Sequence, residues 1–147
     1  MPLPMVHFKT AYVVLSNNAA IGIDQPQYYI GSLAPDGVHS RINYTFLDRS
    51  RSHLESKDTL QWFENVDHFL LNYKNSSGFS FYLGYAVHIM TDILWQEKVL
   101  NRFHQAYQRI QNPEFSDVRQ AYINEMCFLD IQIYHAEKTF RNKIWNF

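Results

Sequence analysis

The stretch Phe79–Trp95, FSFYLGYAVHIMTDILW, sets the limits on what this chain can become. It has helical periodicity and is apolar almost all round, so it predicts a helix running through the middle of a helical domain rather than along its surface. One stripe holds Phe81, Tyr85, His88, Asp92, Trp95 and Val99, and the opposite stripe holds Leu83, Val87, Met90 and Leu94. His88 and Asp92 are four residues apart and leave the same face one turn apart. An imidazole and a carboxylate on an apolar face are costly unless something satisfies them. A metal ion would do so, and both residues are ordinary zinc ligands. A buried His–Asp hydrogen bond that only supports the core would do so too. Taken alone, the pair favours that second reading.

The rest of the chain is read around this helix. Val6 to about Asn18 is expected to be a first helix with an apolar face of Phe8, Ala11, Tyr12 and Leu15, and with His7 in its first turn. By position alone His7 is an exposed histidine near a terminus. Asp24 caps a short helix that begins at Pro26 and should end before Pro35. Asp36 then stands on a Pro-Asp-Gly turn, where Asp is common for local reasons but is also rigidly held. Asn43–Ser52 is read as a polar loop with arginines at 41, 49 and 51, leading to His53 without helical context. Ser56 is expected to cap a helix from Lys57 to about Lys74, buried through Trp62, Phe63, Val66, Phe69, Leu70 and Tyr73. Ser77 should cap the central helix, which is expected to continue to about Gln108. Asn112-Pro113 breaks the chain, and a last helix runs from Ser116 or Asp117 to about Lys143. On it Glu125 and Asp130 are each in line with apolar residues, which is unusual for acids without a partner. His68, His104 and His135 fall on polar faces and are read as exposed.

The fold class is therefore all-α, a compact bundle-like single domain, residues 1–147, around a buried central helix. Eleven Phe, ten Tyr and three Trp suit a core of large rings, and only five Gly and five Pro argue against a turn-rich β protein. The charge is nearly balanced, 13 basic against 14 acidic residues, which argues against a nucleic-acid surface. The lone Cys127 cannot make an intrachain disulfide and is read as an inert buried thiol in a reducing compartment. Met1–His7 lacks a basic region followed by an apolar run, and no apolar run is long enough to cross a bilayer, so a cytoplasmic location is expected.

His7, Asp36, His53, His88, Asp92, Glu125 and Asp130 are the acids and histidines left as candidates. Nitrogen and oxygen ligands gathered from several helices suit Zn²⁺, Mn²⁺ or Fe in a multinuclear site. Val6-His-Phe8, Ile30-Gly-Ser-Leu-Ala-Pro-Asp36, Ser52-His-Leu54 and Phe81-Tyr-Leu-Gly-Tyr-Ala-Val-His-Ile-Met-Thr-Asp92 together resemble the zinc-dependent phospholipase C family, whose fold is shared with single-strand-specific zinc nucleases. The compact cytoplasmic bacterial branch is the nearest in size. The resemblance implies a zinc held by Asp36, His53, His88 and Asp92. It implies a second zinc on His7 and Asp92, where the family adds a terminal Trp and this chain has Met1. For a third, the family uses a His after the central pair and then a His-x-x-x-Glu pair. Here only Glu97 lies near the first position, half a turn from Asp92, and Glu125 and Asp130 are five apart where that pair would be. One to three Zn²⁺ ions are thus implied. The implied activity is hydrolysis of a small phosphoester or phospholipid-like substrate by metal-activated water, with Asp36 as ligand and base. A metal-binding helical module without catalysis, or a nuclease, are the alternatives.

Overall fold

A computed structural model describes residues 1–18, 22–109, 114–136, 138 and 142, and for Phe115 and Ser116 the backbone only. The described residues contain α-helices, one 3₁₀ segment and one π segment, and no strand. The order is α1 (Pro4–Asn17), α2 (Gln25–Gly31), a 3₁₀ segment (Ala34–Ser40), α3 (Phe46–Ser52), α4 (Thr59–Tyr73), α5 (Phe79–Trp95), a π segment (Gln96–Leu100), α6 (Asn101–Gln108) and α7 (Phe115–Ala136). No described helix is long and apolar enough to cross a membrane.

The expected central helix is α5. It buries Ser80, Gly84, Ala86, His88, Ile89, Thr91, Asp92 and Ile93, and α1, α2 and α4 all pack on it. Its one side closes a core of Trp62 and Val66 from α4 with Ala86, Ile89 and Ile93. Its other side meets Ala11, Tyr28 and Tyr29 from α1 and α2 through Leu83 and Val87. Each large side chain removed from water in these clusters contributes roughly 1.5–3 kcal/mol before ordering costs. Leu94 departs from the all-round pattern, being exposed on the last turn.

Several local expectations are corrected. The 43–52 segment is not a loop: Thr45 and Asp48 form a capping box that starts α3, with Thr45 Oγ1 accepting from Asp48 N at 3.2 Å and Asp48 Oδ2 accepting from Thr45 N at 2.9 Å. The short helix α2 ends at Gly31, and Pro35 opens the 3₁₀ segment that carries Asp36, where its missing N–H costs nothing. Asp58, not Ser56, caps α4 by accepting from Gln61 N at 3.0 Å. Gly78, not Ser77, precedes α5 and has no side chain to cap with. The central helix does not run on regularly to Gln108, because the π segment interrupts it after Trp95. Cys127 is exposed, not buried, and His104 is half-buried, while His68 and His135 are exposed. The Asn112-Pro113 break and the end of the last helix near Lys143 lie outside the described residues.

Candidate metal centre

Four elements deliver side chains to one place. Helix α1 supplies His7, the 3₁₀ segment Asp36, the residue capping the C-terminus of α3 His53, and α5 both His88 and Asp92. His7, His88 and Asp92 form one group, and Asp36, His53 and His88 form another. Each residue offers one ligand atom, all within 4.8 Å of the others in its group. His53 Nε2 lies 3.2 Å from Asp36 Oδ1 and 3.5 Å from Asp92 Oδ2. His88 Nε2 lies 3.6 Å from Asp92 Oδ2 and 3.9 Å from Asp36 Oδ1. The other oxygen of Asp92, Oδ1, faces His7 Nε2 at 3.6 Å. Two ligands on a tetrahedral zinc, each at about 2.0–2.1 Å, stand about 3.4 Å apart, so most of these separations are those of ligands sharing a cation.

Hydrogen bonding behind the rings decides which nitrogens are free. His88 Nδ1 donates to the Ser32 carbonyl at 2.8 Å. His53 Nδ1 is 3.0 Å from the Arg49 carbonyl and its Nε2 is 3.2 Å from Asp36 Oδ1, so both nitrogens of this ring face acceptors. In the neutral His88 ring Nε2 is therefore a bare lone pair aimed at the carboxylates of Asp92 and Asp36. This is the arrangement in which a backbone carbonyl fixes a metal-ligating tautomer. The carrier of His53 is itself pinned: Trp62 Nε1 donates to the His53 carbonyl at 2.8 Å, and the Tyr85 hydroxyl donates to the Ser52 carbonyl.

The electrostatics leave the cluster short of positive charge. Burial drives His88 down to about 4, against the pull of Asp36. Burial, then the neighbouring His88, drives His7 down to about 3; the two rings stack at 3.7 Å with 6° between their planes. Both are neutral at physiological pH. Burial pushes Asp92 up to about 7. Burial pushes Asp36 up as well, but the His53 hydrogen bond, with the pull of the surrounding imidazoles when they are protonated, outweighs it and holds Asp36 at about 2. Both nitrogens of His7, His88 Nε2 and both oxygens of Asp92 are buried with no hydrogen-bond partner among the described residues. Orphaned polar atoms of this kind cost about 1–3 kcal/mol each. Divalent cations would answer His7 Nε2, His88 Nε2 and the two oxygens of Asp92, so the donor set fits zinc.

Two of the acids singled out from the sequence lie elsewhere. Glu125 is exposed on α7, because the buried side of that helix runs through Tyr122 and Met126. Asp130 is half-buried but accepts from Met5 N at 2.8 Å, tying α7 to the start of α1. Neither belongs to a ligand group of the described residues. Glu125→Gln should leave metal content unchanged within error, and Asp130→Asn should cost only about 1 kcal/mol of stability through a weakened backbone contact. Metal analysis and thermal melts check both. Arg49 also has a structural partner, Glu55, at 3.0 Å, and Trp95 Nε1 donates to the Tyr122 hydroxyl at 2.7 Å. His39 was missed: its Nε2 lies 3.5 Å from Asp36 Oδ1. Its place three residues after Asp36 in a 3₁₀ segment, where i and i+3 eclipse, was the available signal.

The cluster opens on one side only. The side chains of His7, His53, His88 and Asp92 are at most 1 % exposed, whereas Asp36 is 23 % and His39 39 % exposed. The family model described as zinc dependent phospholipase C matches residues 4–143. No curated protein and no solved structure matches the chain. The match spans all five clustered residues and α1 to α7, so this chain belongs to the zinc dependent phospholipase C family.

Proposed function

We propose that the chain is a zinc-dependent hydrolase of phosphate esters. The carrying observation is the set of bare imidazole nitrogens and unpartnered carboxylate oxygens, buried together and open to solvent only at Asp36 and His39. Asp36, His53, His88 and Asp92 would hold one zinc, and His7 with Asp92 Oδ1 would contribute to a second. Zinc bound there supplies a Lewis acid for a phosphoryl oxygen and lowers the pKa of a bound water.

The chain's own residues set up the reaction. The Ser32 carbonyl holds His88 in the tautomer that leaves Nε2 free, and the Arg49 carbonyl orients the His53 ring with Nε2 toward Asp36. The apolar walls from Ile89 and Trp62 keep bulk water from the buried side. Asp36 is ionised at neutral pH and touches solvent. It would accept a hydrogen bond from the attacking water and orient it; at about 2 it is a weak proton acceptor, so orientation and ligation would be its main contribution.

Metal analysis of the purified protein, with hydrolysis of bis-p-nitrophenyl phosphate before and after chelation, tests this. Bound zinc and a hydrolysis lost on chelation and restored by zinc are expected. Protein without bound metal after zinc loading would sink the proposal. A second reading, a metal-stabilised module without catalysis, is favoured by the absence of Glu125 and Asp130 from the cluster. It wins if chelation lowers the melting temperature while no phosphoester is turned over.

A further inference from the structure

The segment Arg41-Ile-Asn-Tyr-Thr-Phe-Leu47 joins the 3₁₀ segment to α3 and is unlike the rest of the surface. Ile42 is 92 % exposed, Phe46 75 % and Leu47 55 %, and Tyr44 is exposed beside them. Single exposed apolar residues are ordinary, but four within six residues make a patch that water pays for. The patch is not a slack loop. Asn43 turns the chain in the left-handed region at φ 60, the Thr45–Asp48 capping box closes the first turn of α3, and the ring of His39 meets Tyr44 edge-on at 5.0 Å. The backbone is held while the apolar side chains stay in solvent.

Charge and place add to this. Arg41 and Arg51 flank the patch and are exposed. The one acid between them, Asp48, accepts from Thr45 N at 2.9 Å and from Thr45 Oγ1 at 2.7 Å and keeps its negative charge, so the two arginines still outweigh it. Arg49 is taken by Glu55 and is not counted. Tyr44 rests on His39, and His39 and Asp36 are the open side of the His/Asp cluster. The patch therefore borders the entrance to the cluster.

We propose that residues 41–47 are an interfacial anchor that inserts Ile42, Phe46 and Leu47 into a phospholipid surface bearing anionic headgroups. Arg41 and Arg51 lie at the level of the phosphates, with their stems along the apolar layer. Tyr44 takes the interfacial position that suits a ring with a polar tip. Large side chains exposed along a left-handed turn and the first turn of α3, with an arginine on either side, fit a fluid layer that closes around each of them and bears anionic headgroups. The anchor would bring the open side of the cluster down onto headgroups. The inference goes beyond phosphoester hydrolysis and does not depend on it, because partition onto lipid needs no turnover.

The test is co-sedimentation of the zinc-loaded full chain with phosphatidylcholine vesicles, with and without phosphatidylglycerol. Wild type should partition onto both, more strongly with phosphatidylglycerol. The double variant I42S/F46S should lose about tenfold or more of its partition on both. R41Q/R51Q should lose only the gain due to phosphatidylglycerol, roughly fivefold per arginine. Unchanged melting temperatures for both variants show that folding is not what changed. Failure of wild type to bind vesicles, or equal partition of wild type and I42S/F46S, overturns the proposal. So does a dimer of wild type, seen by size exclusion without lipid, that I42S/F46S dissolves, since the patch would then cover a second copy. Absence of hydrolysis in every variant would refute the proposed activity and leave the partition result standing.

Discussion

Asp92→Asn should abolish zinc binding and at the same time stabilise the metal-free protein. The two effects have opposite signs because Asp92 is costly without a cation and indispensable with one. Its carboxylate is buried, neither oxygen has a hydrogen-bond partner among the described residues, and the two oxygens face three imidazoles between them. Asn has the same shape and removes the charge, and its amide can donate to the bare Nε2 of His88. Loss of an anionic ligand shared by both sides of the cluster should weaken zinc by about a hundredfold or more, since even residues behind the ligands are worth 10–100-fold. The pH dependence follows from the raised Asp92 value. Burial lifts it from 3.8 to about 7, so this group favours the metal-free fold below the unfolded value, and that contribution is lost as pH rises through about 7. Metal-free wild type should therefore lose melting temperature between about pH 4 and pH 7 relative to Asp92→Asn, which has nothing to titrate there. Zinc titration and melts across that range, on chelated protein, check both halves. A variant that binds zinc as wild type does, or whose chelated form melts lower at neutral pH, would contradict this account of the site.

How much of this could be read from the sequence differs from one residue of the cluster to the next. His88 and Asp92 were legible because both sit on a long regular helix, where spacing alone fixes a common face. His7 was not. Its own helix gives it the look of an exposed terminal residue, and its burial comes from α1 lying against α5, a contact between positions far apart in the chain. Position and order along the chain, through the family resemblance, were its only signal. His53 seemed to lie beyond a loop, because the capping box that starts α3 uses Thr45 and Asp48 where Glu or Gln is the commoner third residue. Reading that box would have placed His53 at the end of a helix. Glu125 failed for a different reason. It is in line with apolar residues, but the stripe α7 buries passes one step away through Tyr122 and Met126, and several apolar residues of α7, such as Phe128 and Ile131, face solvent. Cys127 was misjudged on the same helix by the same rule. The π segment after Trp95 has no residue-type signature and arises only in the packed chain.

The glycines of α2 and α5 carry the other large prediction. Gly84→Ala should destabilise the protein by about 3 kcal/mol or more, although Ala is favoured over Gly by about 1 kcal/mol inside a helix. A Cβ on Gly84 would stand 1.9 Å from the Tyr28 carbonyl oxygen and 2.9 Å from Ser32 N. A Cβ on Gly31 would stand 2.0 Å from the Phe81 carbonyl oxygen. All of these neighbours are backbone, so no side chain can swing away, and the helices themselves must separate. Separation reaches the metal centre directly. Gly84 is one turn before His88 on α5, and Ser32, just after α2, supplies the carbonyl that orients His88. It also loosens α1, because the buried Tyr28 hydroxyl donates to the Ala11 carbonyl at 3.0 Å. The Gly84→Ala protein should thus melt far lower and, where it still folds, bind zinc more weakly than its stability alone would require. Gly37→Ala is the matched control: it neighbours Asp36 of the cluster, but its Cβ would meet nothing within 4 Å, so it should be neutral. Denaturant unfolding and zinc titration of the two variants decide the matter. Should Gly84→Ala prove as stable as wild type, the close crossing of α2 and α5 could not be what holds His88 in register with Ser32.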